Sequence, residues 1–178
     1  MTKVVVVVTG GIAVYKAAAL VSLLVKNQWD VRVVMTAAAQ QMVGPATFAA
    51  LSAKPVVTEM FDPAFPLGPH IELARWAEVL VVAPATANWI AKAAHGMADD
   101  LASLLYVAFP GPTLVAPAMN SEMWQHISVQ RNVRQLQADG IHFVGPEHGW
   151  QACRTNGDGR MSEPPEIWAR LQSLSGAR

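Results

Sequence analysis

The chain has 178 residues, enough for one domain with a substantial core, and with 52% apolar and 15% charged residues it is not a disordered chain. Its formal net charge is zero, so no overall basic character marks it for nucleic acid or an anionic membrane. A single cysteine rules out an internal disulfide and fits a reducing compartment such as the cytoplasm. No stretch approaches the roughly 20 apolar residues of a membrane span, and the apolar run after Lys3 is too short for a signal peptide. So low a charged fraction also points to surface covered by other subunits.

Val4 to Val8 is an unbroken β-branched run, the pattern of a parallel strand covered on both faces. Thr9-Gly10-Gly11 interrupts it, and a helix is expected from Ile12 to about Asn27. Asp30–Met35 reads as a second strand, with Thr36 as a candidate cap of the Ala-rich helix that follows. Pro45–Leu51 reads as a short helix, and Ser52–His70, with its prolines, as a long loop of the functional or intersubunit kind. Strands are expected at Val79–Ala83 and Thr113–Ala116, each followed by a proline. Helices are expected from Thr86 and over Val129–Asp139, then a strand at Ile141–Val144, a polar loop over Gly145–Pro165 and a terminal helix. This alternation predicts an α/β fold with a doubly wound parallel sheet, forming one domain over residues 1–178.

Ligands of such folds sit beyond the carboxyl ends of the strands. The loops there are Thr9–Gly11, Met35–Thr36, Pro84–Asn88 and Pro117–Asn120. Two glycines before a helix start let backbone N–H groups approach an anion, although a plain βα turn uses the same residues. The segment has neither the dinucleotide nor the P-loop glycine spacing. Thr86, Asn88 and Asn120 are either helix caps or ligands of a polar group, and an Asn amide donates to a carboxylate without neutralising its charge. His70 is the histidine that closes the proline-rich loop, and no His/Cys pair has zinc spacing, so no metal is expected. Cys153 lies in a Gly-rich polar loop beside Arg154; it is either an inert core thiol or a reactive one.

The segments Thr9-Gly-Gly-Ile-Ala-Val-Tyr-Lys16, His70-Ile-Glu-Leu-Ala-Arg-Trp76, Ala83-Pro-Ala-Thr-Ala-Asn88, Ala116-Pro-Ala-Met-Asn120 with Met123, and Ala152-Cys153 with Gly159-Arg-Met161 occur in that order. Together they resemble the homo-oligomeric flavin-containing cysteine decarboxylases, over Val4 to about Ile167. The resemblance implies a flavodoxin-like three-layer fold, FMN as cofactor, and a trimer or dodecamer with FMN at subunit interfaces. It implies that Gly10, Gly11, Ile12 and Thr36 hold the FMN phosphate and ribityl chain, and that Phe48, Thr86 and Asn88 line the flavin. His70, Asn120 and Cys153 are then the catalytic residues, with Arg75, Met119, Asn120, Met123, Ala152 and Cys153 against the substrate. Gln151–Met161 becomes a clamp over it.

The branch it resembles most acts on 4'-phosphopantothenoylcysteine in coenzyme A synthesis. The implied chemistry is oxidation at Cβ, loss of CO2 to an enethiol, and reduction of that enethiol with Cys153 as proton donor. Peptidyl-cysteine decarboxylases of lantibiotic maturation stop at the enethiol, and some relatives are non-catalytic FMN-binding regulators; both stay open as alternatives. The sequence departs from the family at Arg154, where glycine is usual after the cysteine, at Gly11, where serine is commoner, and at Trp89, where threonine is. No fused synthetase domain is read in the chain, so coupling to the preceding enzyme is expected in trans.

Overall fold

Five consecutive valines cannot share one face of a strand, so β1 (Lys3–Val8) has to be covered from both sides. The computed structural model describes residues 1–175, and in it Val4, Val6 and Val8 join one apolar cluster while Val5 and Val7 join another. The remaining elements are α1 (Val14–Lys26), β2 (Asp30–Met35), α2 (Ala37–Gln40), α3 (Pro45–Ser52), α4 (Pro69–Trp76), β3 (Val79–Ala85) and α5 (Ala87–Ala94). Then follow α6 (Leu101–Ala108), β4 (Thr113–Pro117), α7 (Ser121–Gln125), α8 (Ile127–Ala138), β5 (His142–Phe143), β6 (Glu147–Trp150), β7 (Asn156–Arg160) and α9 (Pro164–Ser175).

Strands pair in parallel in the order β2-β1-β3-β4-β5. Helix α1 packs on α3 and α9 over one face, closed by an edge contact between Trp29 and Trp168 with ring centroids 5.1 Å apart. Helices α4, α5, α6 and α8 cover the other face. The expected doubly wound, flavodoxin-like architecture is what forms.

Strand β3 runs two residues past the expected Ala83, because the ladder to β4 shifts register between Val82 and Ala85 and so accommodates Pro84, which has no N–H to donate. The loop expected to run to His70 ends two residues early, at Gly68: Pro69 occupies the first position of α4, where its missing N–H is no loss. Helices α4, α6 and α7 were not expected. Nor was the antiparallel β6–β7 hairpin, which replaces part of the supposed polar loop Gly145–Pro165. No helix among the described residues is long and apolar enough to cross a membrane.

Phe48 departs from its expected role. Its side chain is wholly buried in the cluster of α1, β2 and α9, and it lines neither of the cavities described below. Helix α3 (PATFAALS) is small-residued and apolar nearly all round, so Phe48 is the group able to fill the space between α1 and β2, and it turns inward. Phe48→Ala is therefore expected to lower unfolding free energy by about 3–5 kcal/mol in urea titration. A loss under about 1 kcal/mol would return Phe48 to the ligand side.

Candidate active site

Sheet order reverses at β1, whose neighbours are β2 and β3, and a crevice opens at the carboxyl ends there. Thr9, at the end of β1, holds the crevice in shape. Its buried hydroxyl donates to Pro84 O (2.6 Å) and accepts from Thr86 N (3.1 Å), tying the β1 loop to the β3 loop. A Cβ on Gly10 would stand 2.4 Å from Ala38 Cβ, so glycine there lets α2 sit against the β1 loop. A Cβ on Gly11 would make only ordinary contact, 3.4 Å from Pro84 Cγ, so the position has room for the serine commoner among the proteins it resembles.

Thr36, Thr86 and Asn120 all begin helices. Thr36 Oγ1 accepts from Ala39 N (3.2 Å), Thr86 Oγ1 from Trp89 N (3.4 Å) and Asn120 Oδ1 from Met123 N (2.9 Å). With Oδ1 committed to the cap, the Asn120 Nδ2 group is the part left to donate. Helix α1, by contrast, has no side-chain cap at its start.

Two adjoining cavities of about 570 and 370 Å³ share Gly10, Thr86, Ala87 and Met123 as walls. The larger brings together Gly10, Gly11, Ile12, Met119, Asn120, Met123, Ala152 and Cys153; Thr36 and Asn88 line the smaller. His70 and Arg75 line neither. Two residues link α4 to β3. His70, the second residue of α4, is half-buried, with Nδ1 enclosed and without a hydrogen-bond partner. Arg75, five residues later and about 7.5 Å along the axis, is exposed.

The hairpin roofs the larger cavity. Met119 N donates to Gly159 O (3.0 Å), and Gly157 and Gly159 admit the close approach: added Cβ atoms would stand 1.9 Å from Ser121 Oγ and 2.3 Å from Met119 O. Lys16, buried in the first turn of α1, donates to Met161 O (2.8 Å) and Glu163 Oε1 (2.7 Å) and so anchors the end of β7. Arg160 bridges Glu147 (2.9 Å) and Glu163 (3.3 Å). Both cations line the cavity, but carboxylates already neutralise them. Sequence reasoning passes over Thr9 and Lys16, since a threonine ending a strand and a lysine in a helix carry no signal of their long-range partners.

The Flavoprotein family profile matches residues 1–175. The chain belongs to that family. It is 46% identical over 172 residues to the coenzyme A biosynthesis bifunctional protein CoaBC of Haemophilus influenzae, covering 96% of this chain and 43% of that one. To CoaBC of Bacillus subtilis it is 47% identical over 161 residues, 90% of this chain and 40% of that one. It therefore spans less than half the length of these curated relatives. Among solved structures, the FMN-dependent cysteine decarboxylase SpaF superimposes with a TM-score of 0.87 at 32% identity, covering 98% of this chain and 95% of that one. A Cys→Ser mutant of PPC decarboxylase complexed with pantothenoylaminoethenethiol gives 0.87 at 28% identity, with 99% of both chains covered.

In this Flavoprotein member the one carboxylate of the smaller cavity is Asp100, and it too is neutralised. Burial pushes its carboxyl up, but hydrogen bonds from Lys92 Nζ (2.7 Å) and Ser103 outweigh this and hold it below the usual carboxylate value. The cavity thus offers an anion no uncompensated negative charge. A lowered folded value means that the stability this carboxylate contributes is present above pH 3.8, its ordinary value, and is lost as pH falls through the lower folded one. Asp100→Asn is expected to flatten the acid limb of the stability–pH curve below 3.8. An unchanged acid limb would remove Asp100 from it.

Proposed function

We propose that this chain decarboxylates 4'-phosphopantothenoylcysteine to 4'-phosphopantetheine in coenzyme A synthesis, with FMN as cofactor. The observation that carries the reading is one cavity walled by the uncapped start of α1, the Asn120 amide and the Cys153 thiol. The kinship with CoaBC proteins and with PPC decarboxylase supports the substrate. Like the fold, the domain organisation is read as one FMN-binding unit over residues 1–178.

FMN fits these residues. The start of α1, which no side chain caps, stands with Gly10, Gly11 and Ile12 on the cavity wall and suits its phosphate. Thr36, Thr86 and Asn88 supply hydroxyl and amide groups in the adjoining cavity, and each cavity is of ordinary ligand size. When bound, FMN supplies the two-electron acceptor that oxidises the carbon beside the substrate sulfur, and later returns those electrons.

The chain's own groups do the rest. Asn120 Nδ2 donates to the substrate carboxylate and fixes its orientation without protonating it, so that neutral CO2 leaves and the electron pair stays on the carbon that held it. Met119, Met123 and Ala152 wall the substrate cysteine. Cys153 protonates the enethiol carbon, and its presence on the cavity wall favours the full cycle over the peptidyl-cysteine route that ends at the enethiol. His70, whose ring is half-buried, takes the substrate thiol proton across a subunit boundary, with the exposed Arg75 against the substrate farther along the same helix. That boundary belongs to a homo-oligomer, a trimer or dodecamer. Its support is the exposed apolar rim of the cavity, Ile12, Tyr15, Met123 and Trp150, and Phe61, which is 90% exposed on the loop before α4. The exposed free thiol suits the cytoplasm.

The test is anaerobic incubation of purified protein with 4'-phosphopantothenoylcysteine, following flavin absorbance, CO2 and product mass together. CO2 release with return of oxidised flavin is expected; no CO2 from this substrate would sink the reading. His70→Asn is expected to retain FMN and lose at least about 100-fold in turnover, and wild-type turnover would remove His70 from the chemistry. Cys153→Ser is expected to release CO2 but leave the enethiol as product, whereas a normal yield of 4'-phosphopantetheine assigns the proton to another group.

A further inference from the structure

Gln151 is a polar side chain only 7% exposed, and a buried amide left unpaired would be costly. Its amide is fully engaged. Nε2 donates to Asp158 O (2.9 Å) and Gly157 O (3.4 Å) in β7. Oε1 accepts from Ser121 N (3.2 Å) and Ser121 Oγ (3.4 Å), and from Cys153 Sγ (3.5 Å). Two carbonyls on one side and a backbone N–H on the other fix which end is oxygen. Since Oε1 can only accept, the Cys153 contact is an S–H donating to it, and Thr155 Oγ1, 3.1 Å away, is left to donate to the sulfur.

Gln151 also closes the hairpin tip through its backbone, donating from N to Thr155 O (2.9 Å) and accepting from Arg154 N (2.9 Å). Ser121 directly follows Asn120 and opens α7. One amide therefore spans from the residue beside Asn120 to the Cys153 thiol, two groups on the wall of one cavity. Glycines make the span possible: a Cβ on Gly159 would come 3.1 Å from Gln151 Nε2.

We infer that Gln151 is a positioning residue that sets the Cys153 thiol, in its protonated form, at a fixed distance from the Asn120 loop. The inference rests on the proposed decarboxylase reading, in which Asn120 holds one end of the substrate cysteine and Cys153 serves the other. In that step the Cys153 S–H bond breaks and its proton forms a C–H bond at one enethiol carbon. The hydride for the other carbon comes from the reduced FMN of the proposed reaction, the C=C bond becomes single, and the thiolate left on Cys153 regains a proton from water. A thiol misdirected by loss of Gln151 slows this half alone, because the earlier CO2 loss uses neither group.

The experiment compares wild type, Gln151→Leu, Gln151→Met and Cys153→Ser as holoenzymes with 4'-phosphopantothenoylcysteine, measuring CO2 and the ratio of enethiol to saturated thiol by mass. It also measures iodoacetamide labelling of Cys153 without substrate, which gives one adduct because the chain has one cysteine. Expected in the Gln151 variants are an enethiol fraction raised about tenfold or more and labelling several-fold faster. A wild-type ratio together with wild-type labelling overturns the inference. So does a fall in CO2 release with the ratio unchanged, which is what a merely structural residue gives. Should Gln151→Leu fail to fold, Gln151→Met, close in length and shape, decides by the same readouts. Normal product from Cys153→Ser sinks the proton-donor reading instead, and the absence of CO2 from wild type sinks the decarboxylase reading, while the labelling rate still tests the Gln151–Cys153 contact.

Discussion

A strand hidden on both faces has no free side-chain surface left with which to bind anything; all it can offer is its end. That is the position of β1, whose valines feed both cores, and it forces the chemistry of this molecule onto the loops beyond the strand. The Thr9 hydroxyl turns that constraint into a shape. By donating to Pro84 O and accepting from Thr86 N it binds the exit of β1 to the exit of β3, across the point where sheet order reverses. The starts of α1 and α5 are thereby held side by side, and both cavities use the wall they form.

The caps explain how small polar residues serve fold and site at once. Thr36, Thr86 and Asn120 each spend an oxygen on the first turn of a helix, which is the ordinary reason for such residues after a strand. Capping does not exhaust them, since the Asn120 amide keeps two N–H donors. It also immobilises them, so the remaining donors reach the cavity in one orientation. Leaving α1 without a side-chain cap has the opposite meaning: no side chain of the described residues closes its start, and it borders the larger cavity.

Strands and their caps were legible in the sequence because both are written locally: a β-branched run, then a Thr or Asn, then a helix-forming stretch. The hairpin was not, because Asn156-Gly-Asp-Gly-Arg160 has no apolar alternation and is held by contacts of Gly157 and Gly159 with Ser121 and Met119, far away in the chain. Helix α4 hid behind the prolines before it, although Pro69 was a start signal as much as a breaker. Phe48 shows a different limit. Its assignment to the flavin came from resemblance, and a helix apolar on most sides gives no indication of which way its largest residue faces. For His70 and Arg75 the sequence supplied the residues but not the cavities they stay out of, since both lie on α4 and line neither.

The tip of the hairpin is where this chain departs from the family pattern, and the departure has a direction. Arg154 sits at φ +66°, in the left-handed region that the usual glycine enters freely. A side chain there costs about 1–2 kcal/mol in the closed tip. Arginine also narrows the freedom of the open tip, which by itself favours closure, by roughly 0.4–1 kcal/mol. The first effect is the larger, so the closed tip is less favoured than its glycine counterpart. What keeps it closed is the bonding at Gln151: the backbone pair to Thr155 and Arg154, and the buried amide beneath Cys153. A chain that gives up the glycine leans more heavily on that amide, so the proton-donating thiol and the residue that orients it belong to one structural unit.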